Sequence, residues 1–325
     1  PFTLDPQGRA LEHVNVSVSG DALLLAASTG AELHLLKLSE SENMMTGEIT
    51  REEQRIALPQ LQEPIKALYI DVQGNWLFVL NGRAHMDVFD LRRRTLNGRY
   101  EMTADASTEV TASAQLLGGI SLLIGDSKGG IAQWFMARDP DDEQRLKFIR
   151  GFQLGDAAIT QIAAEERRKG FVALNAAGEL GVFHSTAHRT LLTENVSDSG
   201  TAMFALSPRA NRILLEDGQR LLPFSLENEH PEISWSSLWS KVWYESYSEP
   251  KHIWQSTAAT VDFEPKMSLA PLTFGTLKAA FYAMLLAAPL AIAAAIYTAY
   301  FMAPGMRRKV KPVIELMEAL PTVIL

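Results

Sequence analysis

Three groupings in the 325-residue sequence have types and spacings that could do chemistry. Gly125-Asp126-Ser127-Lys128-Gly129 fits G-x-S-x-G, the turn that presents a nucleophilic serine in hydrolases. That chemistry needs a strand-to-helix turn with a His and an acid in place. Here the stretch reads as a hairpin turn, and most of its counterparts elsewhere in the chain carry no Ser. His184 and His188 stand four apart, which puts two imidazoles on one metal only if both lie on a helix. His184 ends a predicted strand, His188 falls in a turn, and no nearby carboxylate completes a ligand set. Asp139, Asp141, Asp142 and Glu143 form an acidic run without the spacing or the Gly of a calcium loop, so it reads as a solvated connection. No phosphate-binding G-x-x-x-x-G-K-[ST] occurs. There is no Cys, which excludes disulfides, thiolate zinc sites and thiol catalysis. A net charge of −8 argues against a basic nucleic-acid binder, so no nucleic-acid partner is expected. No catalytic, cofactor-binding or metal residue is assigned, no cofactor is expected in this chain, and it is not expected to be an enzyme.

The elements around these residues come from a repeat. An alternating strand, an apolar strand, a small-residue turn with Gly and another strand recur five times. The turn glycines Gly30, Gly82, Gly129, Gly178 and Gly218 are spaced by 52, 47, 49 and 40 residues. Gly supplies the positive φ of a tight hairpin. Arg94 to Met102, Leu146 to Leu154 and Thr190 to Val196 leave room for a further strand in each copy. Four strands in roughly 40–50 residues is the arithmetic of a propeller blade. The repeats resemble the WD40-like class, without its Gly-His and Trp-Asp dipeptides. The expectation is an all-β, WD40-like β-propeller over 1–228 with about five blades, one or two more lying upstream. A β-sandwich or two small β domains is the rival. The chain opens at Pro1 without an initiator Met and stops inside a new apolar run, so it reads as an internal piece of a longer protein.

Residues 229–268 hold four of the six Trp. Trp235, Leu238, Trp239, Val242 and Trp243 follow the spacing of one helix face. This aromatic linker is read either as a helix closing the propeller's bottom or as an anchor at the headgroup level of a membrane, where Trp and Tyr are favoured.

From Ala279 to Met306 there is no Asp, Glu, Lys or Arg. These 28 residues would make a helix of about 42 Å, longer than the ~30 Å hydrocarbon core of a bilayer. A transmembrane helix is expected over 269–306, kinked at Pro289 and ended by Pro304-Gly305. Arg307, Arg308, Lys309 and Lys311 crowd the exit and are read as a cytoplasmic topology signal. The propeller then lies on the opposite side, the periplasm in a Gram-negative bacterium. Ala283, Ala287, Ala291, Ala295 and Ala299 fall every fourth residue, a small-residue stripe suited to close helix packing in lipid. Residues 307–320 are read as a cytoplasmic connection with a short helix over Val313–Met317, and 321–325 as the start of a second span.

From about Ser268 the chain resembles the phosphate-specific ABC-transporter permease, PstC type. The resemblance rests on Phe274-Gly275-Thr276-Leu277, Ala288-Pro289-Leu290-Ala291, Ile296-Tyr297 and above all Met306-Arg307-Arg308-Lys309-Val310-Lys311-Pro312-Val313-Ile314-Glu315-Leu316-Met317, closing with Glu318-Ala319-Leu320-Pro321-Thr322-Val323-Ile324. Long members of that family place a large extra domain between the first two membrane helices. The resemblance implies a multi-pass inner-membrane subunit of a phosphate importer, contributing to the translocation pathway. Its implied partners are membrane lipid, a second permease subunit, ABC ATPase subunits that hydrolyse the ATP, and a periplasmic phosphate-binding protein. The alternatives are an ABC permease for another substrate and a membrane-tethered propeller acting as scaffold or sensor. The propeller's acidic balance, and turn loops read as lacking Arg/Lys clusters, point to a protein partner for it rather than to phosphate itself.

Overall fold

The computed structural model describes residues 3–20, 22–42, 47, 49–197, 202–218, 220–259 and 263–319. The chain divides into two compact units, Pro1–Ser268 and Leu269–Leu325. The expected onset of a second span at 321–325 lies outside the described residues.

The first unit is a β-propeller array of successive antiparallel meanders. Blade 1 is β1 (His13–Ser19), β2 (Ala22–Thr29), β3 (Glu32–Glu42) and β4 (Ile49–Ile56). Blade 2 is β5 (Ile65–Ile70), β6 (Trp76–Asn81), β7 (His85–Asp90) and β8 (Thr95–Glu101). Blade 3 is β9 (Val110–Gln115), β10 (Leu122–Asp126), β11 (Gly130–Arg138) and β12 (Gln144–Gln153). Blade 4 is β13 (Ile159–Ala164), β14 (Gly170–Asn175), β15 (Glu179–His184) and β16 (Arg189–Asn195). Among the described residues, blade 5 has three strands, β17 (Met203–Leu206), β18 (Arg212–Asp217) and β19 (Arg220–Ser225).

Side-chain alternation explains the stacking. Successive residues of a strand point to opposite faces, so a strand with a sheet on each side must be apolar at both parities. Leu77 and Val79 of β6 join Leu24, Ala26 and Leu35 in a core between blades 1 and 2. Phe78 and Leu80, one residue out of phase, join Val110, Leu122 and Ile124 between blades 2 and 3. Leu123 and Ile131 meet Phe171, Ala173 and Phe183 between blades 3 and 4. Val172 and Leu174 meet Phe204, Ile213 and Leu215 between blades 4 and 5. Side chains of the innermost strands add polar ties: Ile70 N donates to Asn15 Oδ1 at 3.1 Å, and Gln115 Nε2 donates to Ile70 O at 2.9 Å.

Past blade 5 the first unit forms a short helix, α1 (Trp235–Trp239), whose start is capped reciprocally by Ser234 and Ser237. In the second unit, α2 (Ala270–Ile296) runs into a π-helical turn, Tyr297–Phe301. After Met302 and Ala303 the chain begins α3 (Pro304–Ala319).

Three expectations are corrected. The helical face from Trp235 to Trp243 stops at Trp239: Ser240 is extended, and Val242 forms an antiparallel bridge with Lys251 instead. The apolar helix ends at Phe301 rather than at Met306, because the residue before a proline is steered out of the helical region and Pro304 starts the next helix. The helix expected over Val313–Met317 is part of the sixteen-residue α3, which carries the basic residues and Pro312 inside it.

Candidate functional site: a buried carboxylate clasp and an apolar helix

The motifs with nominal chemistry are structural. Ser127 sits in the β10–β11 hairpin turn, where Asp126 Oδ1 accepts from Lys128 N (2.7 Å) and Gly130 N (2.9 Å), and Ser127 Oγ accepts from Glu109 N at 3.1 Å. His184 is buried at the end of β15, and its Nδ1 accepts from Ala187 N at 3.2 Å. Burial, then the charges of Arg168, Arg150 and Arg189, push its pKa down to about 3, so the ring is neutral. His188 instead reaches Gly151 O at 2.9 Å. Asp139 closes its own turn, accepting from Asp141 N and Glu143 N and pairing with Arg145.

Among the described residues, a dense polar assembly lies where 241–259 and 263–268 fold back onto blades 3 and 4. The Val242–Lys251 bridge and the short pair β20 (Trp254–Gln255) and β21 (Lys266–Met267) hold this segment as a clasp. It carries two buried carboxylates, Glu245 and Glu264, to blade residues that are themselves buried. Lys169 Nζ pairs with Glu245 Oε2 at 2.6 Å and also donates to Leu117 O at 2.6 Å. Ser121 Oγ donates to Glu245 Oε1 at 2.6 Å, Gln133 Nε2 donates to Ser121 Oγ at 2.8 Å, and Ser185 Oγ donates to Gln133 Oε1 at 2.7 Å. Glu264 accepts from Thr186 Oγ1 and, at 2.8 Å, from Glu245 N. Arg150 donates to Ser185 O (2.6 Å), Thr186 O (2.7 Å) and Trp243 O.

Electrostatics make this network sensitive. Burial, followed by the neighbouring Glu245 charge, pushes the Glu264 carboxyl up to about 7, against the pull of the Thr186 hydroxyl and Lys169. Burial lowers Arg150, opposed by Glu264 and Glu245. Lys266 is lowered by burial, and its ammonium lies 4.9 Å from the Phe263 ring centroid and 5.7 Å from that of Tyr244. The groups bind one another, so the assembly is a cross-link between two blades and the segment that precedes α2. Sequence reasoning missed it. The one local signal is a lysine, Lys169, placed directly before the wholly buried strand β14.

The first unit also corrects the view that the turn loops lack basic clusters. Loops of blades 4 and 5 bring Arg167, Arg168 and Arg209 to one cleft of about 870 Å³, although some 40 residues separate them. Glu227 and Glu229 line the same cleft, and Arg168 is committed to Glu165 and to Asn228 O, so its charge is mixed.

In the second unit, Ala270–Phe301 is a continuous stretch of 32 residues, long and apolar enough to cross a membrane. Two of its hydroxyls bond back to the helix, Thr276 Oγ1 donating to Leu272 O (2.9 Å) and Thr298 Oγ1 to Ala294 O (2.7 Å). Ala283, Ala287, Ala291 and Ala295 lie on α2, Ala299 in the π turn. A four-residue step overshoots each helical turn, so the stripe winds around the axis as a ridge. Arg307, Arg308, Lys309 and Lys311 all fall on α3, where Arg307 donates to Ala299 O and Lys311 lies 3.8 Å from Glu315. Met306, Val310, Val313 and Ile314 share one side of α3, and Arg307, Arg308, Lys311 and Glu315 the other.

No protein-family model matches the chain, and no curated protein matches it. Among solved structures, it is similar to the crystal structure of the Myceliophteria thermophila Cps50 (Swd1) β-propeller domain, with 13% identity and a TM-score of 0.43 over 67% of this chain and 83% of that chain.

Proposed function

We propose that the chain is part of a membrane permease subunit of an ATP-driven importer, with inorganic phosphate as cargo and no covalent chemistry of its own. The observation that carries this is the run of a 32-residue apolar helix into an amphipathic α3 bearing Arg307, Arg308, Lys309 and Lys311. That order supports a span with a cytoplasmic exit, and it coincides with the residues that resemble the phosphate permease. Partner ATPases would supply the energy, a second permease would complete the pathway, and a phosphate-binding protein would deliver cargo on the propeller's side of the inner membrane. The propeller's acidic balance and mixed-charge cleft favour a protein partner over phosphate itself.

Two measurements test the reading. A reporter active only in the cytoplasm should give signal when fused after Lys311 and none after Asn228; the reverse pattern overturns the orientation. Tagged protein should co-purify with an ABC ATPase, and cells lacking it should lose uptake of labelled phosphate. Unchanged uptake without a co-purifying ATPase removes the importer and leaves the tethered scaffold.

A further inference from the structure

The tip of the clasp, Ser246–Ser248, closes one side of a cavity of about 390 Å³ between blades 2 and 3. Asp71, Trp76 and Phe78 line it from blade 2, Met136 and Arg138 from blade 3, and Tyr247 from the clasp. The Tyr247 backbone is pinned: its N donates to Tyr244 O at 3.2 Å, and its O accepts from Trp243 Nε1 at 2.8 Å. Ser246 beside it has a φ of +67°, a left-handed conformation that is uncommon for a residue with a Cβ. Asp71 is 8% exposed. Its Oδ1 closes the β5–β6 turn, accepting from Asn75 N at 2.6 Å and from Trp76 N at 2.7 Å. No side-chain cation pairs with this carboxylate among the described residues, and Arg92 acts on it only through space. Burial pushes the carboxyl up, with the backbone N–H groups of the turn opposing.

We propose that this cavity binds a small organic cation, an ammonium or guanidinium group carried on an apolar body. Its volume is that of a small-molecule pocket. Its lining supplies what such a ligand needs: a carboxylate without a cation, the rings of Trp76 and Tyr247 for the charge to lie over, and Phe78 and Met136 for the body. A cation brought to Asp71 offsets the cost of burying that carboxylate. Arg138 does not fill the role, because its Nη1 donates to Asp142 Oδ1 at 2.9 Å and to Asp142 O at 3.1 Å. Lys266, 6.0 Å from the Tyr247 ring centroid, lies outside the lining. The neighbouring groove between blades 1 and 2, about 320 Å³, lacks these features. Ala22 and Leu24 take the first and third positions of β2, where β6 has Trp76 and Phe78, and Lys37, Arg92 and Arg94 line that groove instead. The acidic balance of the chain favours a ligand of the same positive sign.

Calorimetric titration of the full 1–325 chain in a non-ionic detergent tests this with two probes: agmatine, which carries both an ammonium and a guanidinium, and choline. At least one should bind saturably. Asp71→Asn keeps the Oδ1 acceptor that closes the turn and removes the charge, and Tyr247→Leu removes the ring. Each should weaken binding by about tenfold or more, the worth of one charge-assisted hydrogen bond or one desolvated ring face. Lys37→Met, in the neighbouring groove, is the control and should leave binding unchanged. The melting temperature of each variant shows that it is folded, and either variant alone suffices for the test. Failure of both probes to bind overturns the proposal, as does binding that Asp71→Asn and Tyr247→Leu leave unchanged. Binding of inorganic phosphate that Arg138→Met abolishes would overturn it in favour of an anion. Binding of a capped Ala-Arg-Ala peptide without binding of agmatine would overturn it in favour of a partner protein's side chain.

Discussion

Replacing Glu264 by Gln removes the one clasp carboxyl that burial and Glu245 push up to about 7, from an ordinary 4.5. The folded state then holds the proton more tightly than the unfolded chain. Between pH 4.5 and about 7 folding takes up a proton, and the associated stability, fully present below 4.5, is lost as pH rises through that window. At ~1.4 kcal/mol per pH unit of displacement the whole effect is about 3 kcal/mol. His184 works in the opposite sense. Its folded value is held down to about 3, so stability falls as pH drops below the ordinary 6.5. In the native protein the two slopes oppose each other between pH 4.5 and 6.5 and hide one another. Glu264→Gln removes only the first. Urea unfolding followed by Trp fluorescence should find the variant more stable than the parent at pH 8 by about 1–3 kcal/mol. The advantage should vanish near pH 5, and the variant alone should weaken steadily below pH 6.5. A difference between variant and parent that stays constant from pH 5 to 8 would refute the assignment of the raised carboxyl to Glu264.

Lys169→Met should cost about 3–5 kcal/mol by leaving Glu245 buried without its cation, and adding Glu245→Gln should restore most of it, as read by thermal melting. Gly178→Ala should destabilise by more than ~1 kcal/mol, since φ is +79° and a Cβ would overlap the Ser197 carbonyl, while Gly30→Ala, in open space, should cost less. Leu at Ala287, Ala291 and Ala295 together should weaken assembly with the partner permease in detergent extracts more than Leu at Ile292 and Ile296, because added volume blocks close helix approach.

What was legible in the sequence was whatever repeats locally. The five turn glycines all carry positive φ, between +54° and +80°. The strands expected over Arg94–Met102, Leu146–Leu154 and Thr190–Val196 appear as β8, β12 and β16, displaced by a residue or two. The clasp was not legible, for two reasons. The Trp spacing from 235 to 243 fits a helix, but an antiparallel bridge between Val242 and Lys251 satisfies the backbone instead and ends it. The pairing of Lys169 with Glu245 spans 76 residues, and no local pattern distinguishes two carboxylates bound for the interior from the many that stay in solvent.

The four cores between blades carry a consequence for how the array comes apart. Interactions that run only between neighbours make a repeat protein behave as a linear chain of coupled units, with openings that start at the ends. Among the described residues, blade 1 and blade 5 each rest on one core, whereas blades 3 and 4 are held by a core on either side and by the Lys169–Glu245 cross-link as well. Amide exchange is therefore graded along the sequence, fastest in β1 and β19 and slowest in β10 and β14, whose residues are almost wholly buried. In the 1–325 chain a protease would trim the array from blades 1 and 5 while the middle blades persist as a folded remnant.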